Sequence, residues 1–328
     1  MTEDEFIKRW HADRPMYEAW GNFVVDRIVE TTQDKIVPVS VGLFLRIPPK
    51  PRLKADGSLL EKAFYRGKPY ADPYQDITDK VGARFVVLLT GDIKTIEEAI
   101  GNCKEWDASK DRDFEEEQKL NPVQFEYAAV HYVVRANSEI SIGNIIVTKG
   151  TPCEVQVKTI LQHAYSELTH DTIYKPKVTA TALMKRTAAK SMALIEATND
   201  YFTQVVEQVA ASLAPDKALT NELSPIYSKY VKREPELTRA ESLILEAYGD
   251  IPREGLIGAI IKFLDANSFV AERIGERANA KLLYRQPAIL LVYFLASRYR
   301  GATKAKWPLT ADELRPIYVD LGLNFDAL

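Results

Sequence analysis

Apolar positions along the first 175 residues switch between helical and strand-like spacing. Large apolar side chains recur at near-helical intervals from residue 3 to about 32, which predicts one or two helices. Four valine-rich apolar runs predict strands: 37–46, 82–89, 128–136 and 150–159. Helices are predicted over 58–66, over the stretch after a capping Asp92, and from about 159 to 174. The charged stretch 107–121 between these elements predicts a mobile loop.

Beyond Pro176 the spacing becomes helical throughout. A long helix is predicted over about 180–212, with an apolar side formed by Leu183, Ile195, Phe202, Val206 and Val209. Shorter helices are predicted near 237–248, 254–266, 286–299 and 310–318, the last with a capping box from Thr310 to Glu313. The fold class is therefore α+β, a mixed β-sheet flanked by helices, followed by an all-helical C-terminal region. We divide the chain into an N-terminal helical segment (1–36), a sheet domain (37–176) and a helical region (177–328).

Composition narrows the classes of function. The chain has 328 residues, 46% of them hydrophobic, and a formal net charge of -3, so no global positive field attracts it to nucleic acid. Two cysteines 50 residues apart form no CxxC motif, and the four histidines form no HExxH motif. The longest apolar run, near 287–296, is about half the ~20 residues of a membrane span. The N-terminus carries no apolar signal segment, so we expect a cytoplasmic protein without a membrane partner.

A local basic cluster interrupts this acidic composition. Seven bases between residues 46 and 68 face only two acids, a local charge of +5. Helical spacing places Ser58, Lys62 and Arg66 on one face, and Arg52 and Lys54 precede them on an extended segment. Such an arrangement can surround a polyphosphate, because guanidinium forks and ammonium groups neutralise phosphate oxygens. A solvated basic surface is the alternative.

Two carboxylates lie in separate short motifs that could hold a metal ion. Asp79 begins DKVGAR, in which Gly82 permits close approach of another backbone and Arg84 enters a predicted strand. Glu154 shares one face of a predicted strand with Gln156 and Lys158. Mg²⁺ is commonly held by one or two carboxylates together with substrate phosphates. An aspartate that only caps a turn is the alternative for Asp79.

A third group of side chains suggests a pocket for an organic ligand. Tyr127 and His131 alternate on one side of a predicted strand, where an aromatic ring can stack on a base and an imidazole can bind phosphate or ribose. A histidine and an aromatic residue satisfied within the sheet are the alternative. The following helix carries a polar stripe: His163, Glu167, His170 and Tyr174. The pair His170–Asp171 also suggests a phosphohydrolase of the HD type, but only His11 and His131 precede this helix, without obvious partners.

In sequence order, these segments resemble the synthetase domain of the RelA/SpoT family. RLKADGSLLEKAFYRG is similar to the family's R-x-K…S-x-x-x-K stretch, DKVGAR to D-x-x-G-x-R, and EYAAVH to G-Y-x-S-x-H. EVQVKT…HAYSELTHDTIYK is similar to E-x-Q-x-R-T…A-W-x-E-x-x-H…YK. Four blocks in the family's order over about residues 37–176 are far more specific than any one of them.

The resemblance implies a nucleotidyltransferase-like synthetase domain that transfers the pyrophosphate of ATP to the 3′-hydroxyl of GDP or GTP, making (p)ppGpp alarmones. It assigns ATP binding to six residues: Arg52, Lys54, Ser58, Lys62, Arg66 and Arg84. Asp79 and Glu154 would be the catalytic residues and bind Mg²⁺, with Glu154 also orienting or deprotonating the attacking hydroxyl. Five residues would bind the acceptor: Tyr127, His131, Gln156, Lys158 and His163. Positioning and electrostatic neutralisation supply most of the catalysis of such transfers.

The sequence departs from the family pattern in the acceptor half. Glu126 and Ala129 replace a glycine and a serine around Tyr127, Lys158 replaces an arginine, and Tyr165 replaces a tryptophan. The 36 residues before the first predicted strand are too few for a hydrolase domain, so we expect a stand-alone synthetase. We expect its acceptor to be GDP or GTP. The alternative is the 3′ end of tRNA, which is the acceptor of toxin-type synthetases. A catalytically silent nucleotide-binding regulator is the third hypothesis, and the helical region allows a homo-oligomer or an antitoxin-like partner.

Overall fold

The chain forms two compact units, each with its own hydrophobic core. The structure is a computed structural model that describes residues 1–67, 69–121, 125, 129–169 and 179–326. Unit 1 is Met1–Val205 and unit 2 is Val206–Leu328. The segment boundaries at residues 36 and 176 stay predictions.

Unit 1 contains a mixed sheet flanked by helices. Its helices are α1 (Glu3–Ile36), α2 (Val41–Phe44), α3 (Asp56–Leu60), α4 (Pro73–Asp76), α5 (Thr90–Gly101), α6 (Phe114–Leu120) and α7 (Ile160–Thr169). A π-helical turn, Glu61–Tyr65, continues α3. Its strands are β1 (Arg52–Leu53), β2 (Val81–Val87), β3 (Trp106–Arg112), β4 (Val130–Ala136), β5 (Ile140–Ile142), β6 (Ile145–Val147) and β7 (Pro152–Thr159).

The main sheet has five strands in the order β1-β2-β7-β4-β3, and β5 and β6 form a separate hairpin. Strands β2 and β7 are parallel, and the other neighbours are antiparallel. The central strands β2 and β7 are short valine-rich runs, as expected for strands buried in a mixed sheet. The predicted α+β fold class, a mixed sheet flanked by helices with a helical C-terminal region, is confirmed.

Helix α1 is one continuous element that supplies large side chains to the core of unit 1. Thr2 and Glu5 form a capping box at its start. Phe6, Trp10 and Trp20 are fully buried and pack in the core that the sheet strands share. The Trp10 indole also donates a hydrogen bond of 3.0 Å to Asp56 Oδ1, which ties α1 to the start of α3.

The prediction of a strand over 37–46 is wrong. The segment contains the short helix α2, and only the adjoining Ile47 forms an isolated bridge, with Val86. The amide side chain of Gln33 satisfies the backbone instead: its Nε2 donates to the Val39 carbonyl (3.0 Å), and its Oε1 accepts from the Val41 N–H (2.7 Å). These two hydrogen bonds satisfy part of the backbone of the segment, and the Arg46 N–H reaches the sheet by donating to the Val86 carbonyl at 2.8 Å.

The mobile loop predicted over 107–121 is also wrong, because this stretch forms the edge strand β3 and helix α6. Charged side chains suit an edge strand, which pairs on one side only and faces solvent on the other. Asp113 caps α6 by accepting from the Glu115 N–H at 2.9 Å. Asp92 is not the N-cap residue we predicted for α5; it lies in the first turn, where its carboxylate accepts from the Leu89 N–H.

The last helix of unit 1, α8 (Ala182–Val231), continues into unit 2 and is longer than the predicted 180–212. The remaining elements of unit 2 are α9 (Arg239–Ala247), α10 (Leu256–Ala266), α11 (Ser268–Ala278), a 3₁₀ turn (Leu282–Arg285), α12 (Ala288–Arg298), α13 (Arg300–Lys306) and α14 (Ala311–Asp320). Helix α12 is the central helix, with residues 288–296 all buried. The predicted capping box of Thr310 and Glu313 starts α14. Within the described residues, no helix has the length and apolarity that crossing a membrane requires.

Candidate active site

Asp79 lies in the loop before β2, where two of the predicted ATP-binding lysines reach it. Its Oδ2 accepts a hydrogen bond from Lys54 Nζ and lies 2.9 Å from Lys62 Nζ. Lys54 is placed by its backbone N–H, which donates to the Lys80 carbonyl at 2.9 Å and prolongs the β1–β2 pairing. Lys62 is placed by the π-helical turn. Lys54 and Lys62, expected to bind ATP, are therefore in direct contact with Asp79, expected to bind Mg²⁺.

The electrostatic environment keeps Asp79 ionised. Burial raises the pKa of this carboxyl, but the ammonium groups of Lys54 and Lys62 outweigh burial and hold the pKa below its ordinary value. The side chain is only 16% exposed. Its other oxygen, Oδ1, is buried and accepts no hydrogen bond from the described part of the chain. A buried carboxylate oxygen normally has a partner, so Oδ1 is suited to bind a cation that enters the site together with a ligand.

Glu154 is the second carboxylate of the site and lies on the central strand β7. Its Oε1 is 3.5 Å from His131 Nδ1, and its Oε2 accepts from Gln156 Nε2 at 3.0 Å. Burial raises the Glu154 pKa, but the contacts with His131 and Gln156 outweigh it, so the pKa lies below its ordinary value. The negative charge of Asp79 acts in the opposite direction on this pKa, so the two carboxylates are close enough to interact electrostatically.

The register of β2 and β7 explains how these carboxylates come together. Gly82, three residues after Asp79, is the direct partner of Glu154 in the parallel ladder. A Cβ atom at position 82 would lie 3.2 Å from the Glu154 carbonyl oxygen and 3.7 Å from the Glu154 Cβ. The glycine therefore leaves the space beside Glu154 open, as DKVGAR suggested.

These donors fit Mg²⁺ better than a metal that needs a full protein cage. No group of three or more His, Cys, Asp or Glu side chains suited to a metal occurs within the described ranges. Two carboxylates with cationic neighbours are nevertheless the donor set expected when substrate phosphates and water complete the coordination of Mg²⁺. Asp79 and Glu154 are the residues that would hold it.

A row of polar side chains crosses the sheet beside Glu154. Arg84 on β2 pairs with Gln156 on β7, Gln156 pairs with His131 on β4, and His131 pairs with Arg112 on β3. Side chains directly opposite each other on neighbouring strands point to the same face, so Arg84, Gln156 and His131 line one surface. Strand β3 shifts register between Lys110 and Arg112, and the charge of Arg112 acts on the buried Lys158 of that same face. Arg84 and Arg112 stand at the two ends of the row, which gives it two guanidinium groups.

Each arginine of the row is held by a glutamate from a helix. Arg84 Nη1 donates to Glu167 Oε1 on α7 at 2.8 Å. Arg112 donates through Nε and Nη2 to the two carboxylate oxygens of Glu117 on α6, at 2.7 and 2.8 Å. His163 also faces Glu167, with its Nδ1 3.9 Å from Oε1. Burial and the positive charge of Arg84 lower the pKa of His163, which keeps the imidazole neutral at physiological pH.

Lys158 is the most deeply buried base of this face, with 1% of its surface exposed. Its Nζ donates to Gln156 Oε1 (3.3 Å) and to Ser166 Oγ (3.2 Å). Burial and the nearby Arg84 guanidinium lower the pKa of Lys158 to about 7. Its charge is therefore poised to respond to an anion that binds close by.

The other predicted ATP-binding residues lie on the same part of the sheet edge with fewer contacts. Arg52 is exposed on β1 opposite Gly82, and Ser58 lies on α3 one turn before Lys62. Arg66 follows the π-helical turn and donates to Glu61 Oε1 through Nε (3.1 Å) and Nη2 (3.0 Å). Tyr127, the predicted base-stacking residue, lies outside the described residues, as do His170, Asp171 and Tyr174 of the polar stripe.

Sequence reasoning missed Arg112 because it lies in the charged stretch that we predicted to be a loop. The available signal was the alternation of Trp106, Ala108 and Lys110 before it, which resembles a half-exposed strand. Strand spacing alone does not give the partner, and it is the pairing with His131 that brings Arg112 to the site.

Comparisons with known proteins agree with this geometry. Residues 51–179 match the RelA_SpoT family model, described as a region found in RelA / SpoT proteins. The structure of small alarmone synthetase 1 from Bacillus subtilis matches with a TM-score of 0.50 and 16% identity, over 62% of this chain and 99% of that chain. The same synthetase bound to its product pppGpp matches with a TM-score of 0.50 and 18% identity over the same shares. No curated protein matches the chain in sequence. Residues 51–179 thus match the RelA_SpoT family model, and the sheet domain has the fold of small alarmone synthetases.

Proposed function

Since residues 51–179 are a RelA/SpoT region, we propose that the chain is a magnesium-dependent pyrophosphokinase that uses ATP and a guanine nucleotide. The observation that carries the proposal is the shared contact of Lys54 and Lys62 with Asp79, beside Glu154. Paired lysines on a carboxylate are suited to exchange that carboxylate for polyphosphate oxygens when a nucleotide binds. The similar structures are those of a small alarmone synthetase and of its complex with the product pppGpp, which agrees with this reaction.

The reaction joins the 3′-oxygen of the acceptor to the β-phosphorus of ATP. The bond between the β-phosphorus and the oxygen bridging to the α-phosphate breaks, and AMP leaves with that oxygen. GDP gives ppGpp and GTP gives pppGpp, and the hydroxyl proton is released. Mg²⁺ at the two carboxylates would neutralise phosphate charge and make the hydroxyl more acidic.

The protein's own residues would position the two substrates. Lys54, Lys62 and Arg84 would neutralise the phosphates of ATP. Arg84 must first leave its ion pair with Glu167. Glu154 accepts the hydroxyl proton, since the contacts with His131 and Gln156 keep its carboxylate ionised at neutral pH.

Arg112 lies at the end of the row away from Arg84, and Lys158 donates to Gln156 on the same face, an arrangement that suits the phosphates of the acceptor. A guanidinium and an ammonium group together can neutralise a diphosphate. Tyr127 would supply the stacking contact for the base. Recognition of the tRNA 3′ end is the alternative that the changed residues Glu126 and Ala129 leave open.

The test incubates the protein with γ-labelled ATP and one acceptor at a time: GDP, GTP, AMP, ADP or deacylated tRNA. Label on GDP or GTP, lost in Glu154→Gln but kept in Asp107→Asn, is the expected result, because Asp107 is an exposed acid on the edge strand. Label on tRNA alone refutes the nucleotide acceptor. Label on no acceptor, with Mg²⁺ present, would favour the catalytically silent hypothesis.

A further inference from the structure

Lys80 carries a buried side chain that the proposed reaction does not use. It directly follows Asp79, and only 1% of its surface is exposed. Its Nζ donates a hydrogen bond of 2.6 Å to the Ile77 carbonyl, at the start of the loop that carries Asp79. An ammonium group inside a protein is costly unless other groups stabilise it, so a lysine at this position needs a physical explanation.

Two tyrosine rings lie beside this ammonium group. The Lys80 Nζ is 4.9 Å from the ring centroid of Tyr74 on α4 and 5.3 Å from that of Tyr17 on α1. Both tyrosines are buried. A cation within about 6 Å of an aromatic ring centroid is attracted to the ring, and the attraction is stronger where water is excluded. The two rings and the Ile77 carbonyl therefore form a cage for the Lys80 ammonium group.

Contacts with α1 and with the start of α4 fix the Tyr74 side of the cage. The Tyr74 hydroxyl donates a hydrogen bond of 2.7 Å to Asp13 Oδ2 on α1. Its backbone N–H donates to Oδ1 of Asp72, the N-cap residue of α4, at 2.9 Å. The guanidinium group of Arg9, also on α1, lies 4.2 Å from the Tyr74 ring centroid. Tyr74 thus has contacts at its backbone, its ring and its hydroxyl, which hold the ring against α1.

Lys80 acts on both partners of the ion pair between Asp79 and Lys54. Its side chain ties residue 80 to Ile77 across the loop that carries Asp79. Its backbone carbonyl accepts a hydrogen bond of 2.9 Å from the Lys54 N–H, and the Lys54 ammonium contacts Asp79 Oδ2. A carboxylate that binds a metal needs supporting contacts that keep it in the geometry for coordination. Loosening residue 80 would therefore displace Asp79 and Lys54 together.

We propose that Lys80 is a positioning residue, whose caged ammonium group fixes the loop 77–80 and thereby holds the Asp79 carboxylate in place for the metal and the ATP phosphates. This inference rests on the proposed function, because it concerns the part that Asp79 plays in that reaction. An apolar side chain could fill the space between the two tyrosines, but it could not donate to the Ile77 carbonyl. A lysine that only stabilises the core of unit 1 is the competing explanation.

Steady-state kinetics distinguish positioning from stability. Lys80→Met removes the ammonium group and keeps a long, unbranched side chain. We expect kcat to fall at least about tenfold and the Mg²⁺ concentration that gives half the maximal rate to rise, while the KM for the acceptor nucleotide stays unchanged. Val25→Ala is the matched control, because Val25 is buried on α1 and its truncation lowers stability without removing a contact of Lys80. It should leave kcat unchanged at a temperature at which circular dichroism shows both variants to be folded.

Hydrogen–deuterium exchange of the ligand-free protein gives a readout that does not depend on activity. The Lys54 N–H should be protected in the wild-type protein by its hydrogen bond to the Lys80 carbonyl. In Lys80→Met, peptides that cover residues 53–55 and 77–82 should exchange at least about tenfold faster, because the loop opens more often. Peptides from α5 and β4 should exchange as in the wild-type protein. Val25→Ala should not produce this local pattern.

The two measurements separate this inference from the proposed function. A Lys80→Met variant with near wild-type kcat, or with unchanged exchange over residues 77–82, would overturn the positioning role. An equal fall of kcat in Val25→Ala would overturn it as well, since lost stability would then explain both variants. If the wild-type protein transfers label to no acceptor, the proposed function fails. Faster exchange confined to 53–55 and 77–82 in Lys80→Met would then still show that Lys80 fixes the loop carrying Asp79.

Discussion

Replacing Asp79 by asparagine separates its charge from its shape. The substitution removes the negative charge shared by Lys54 and Lys62 while keeping an oxygen that can accept a hydrogen bond. Removal of one partner from a fully buried ion pair costs about 3–5 kcal/mol. Here the side chains of Asp79, Lys54 and Lys62 are 16%, 24% and 17% exposed, so water screens part of the loss. We expect the free energy of unfolding to fall by about 2 kcal/mol.

A loss of that size leaves a typical domain folded, because such domains are stable by about 5–15 kcal/mol. Nucleotide binding and transfer should then respond in opposite directions. Without Asp79, both lysines are free to bind phosphate, so affinity for ATP in the absence of Mg²⁺ should be equal or higher. Pyrophosphate transfer should be lost, because the carboxylate that would hold the metal is gone.

The measurements are urea denaturation, ATP binding by calorimetry with a chelator present, and transfer of label from γ-labelled ATP. Asp107→Asn, an exposed acid on the edge strand, is the matched control and should change none of the three. Near-full transfer activity in Asp79→Asn would refute the metal-site assignment. Weaker ATP binding without Mg²⁺ would refute the idea that Asp79 competes with phosphate for the lysines.

Three other substitutions test separate parts of the structure. Lys158 has a pKa lowered to about 7, so its positive charge is lost as the pH rises through 7. The KM for the acceptor, measured in a pH series, should therefore rise over that range. Lys158→Arg, which stays charged, should remove this pH dependence. Arg112→Gln should raise the KM for the acceptor about tenfold or more and leave the KM for ATP unchanged. An equal rise in both KM values would contradict the assignment of Arg112 to the acceptor. Trp10→Ala should lower the free energy of unfolding by about 3–5 kcal/mol in urea denaturation, since the indole is fully buried; a loss under 1 kcal/mol would mean that α1 is dispensable to the core.

The elements with strong periodicity were predictable from sequence, and those fixed by a distant side chain were not. Strand β2 is a valine-rich run and β7 alternates valine with polar residues, so their identity follows from local pattern. The stretch 37–46 has the same apolar character, but Gln33 of α1 satisfies its backbone, and no local pattern reveals that contact. The charged residues of β3 resemble a loop because an edge strand needs few apolar positions.

The candidate site shows the same division. Helical spacing predicted that Ser58, Lys62 and Arg66 share one face of the basic cluster, and the resemblance of the motifs assigned Asp79 and Glu154 to one site; both roles stay predictions. Arg112 and Glu167 could not be assigned roles in this way, because their positions depend on strand register and on helix packing. Leu183, which we placed on the apolar side of the long helix, is 76% exposed in the structure. Periodicity identifies an apolar side of a helix without showing which neighbour covers it.

The position of β7 in the sheet has a consequence for synthesis of the chain. Among the five strands of the main sheet, β7 is the last in sequence, yet it lies between β2 and β4. A growing chain that ends before residue 152 therefore has β1–β2 and β3–β4 pairs with no strand to join them, and it lacks Glu154. Parallel pairing between segments so far apart in sequence is slow compared with local contacts. We expect a nascent chain to gain nucleotide-processing activity in one step, after the ribosome has released β7, with no partly active intermediate.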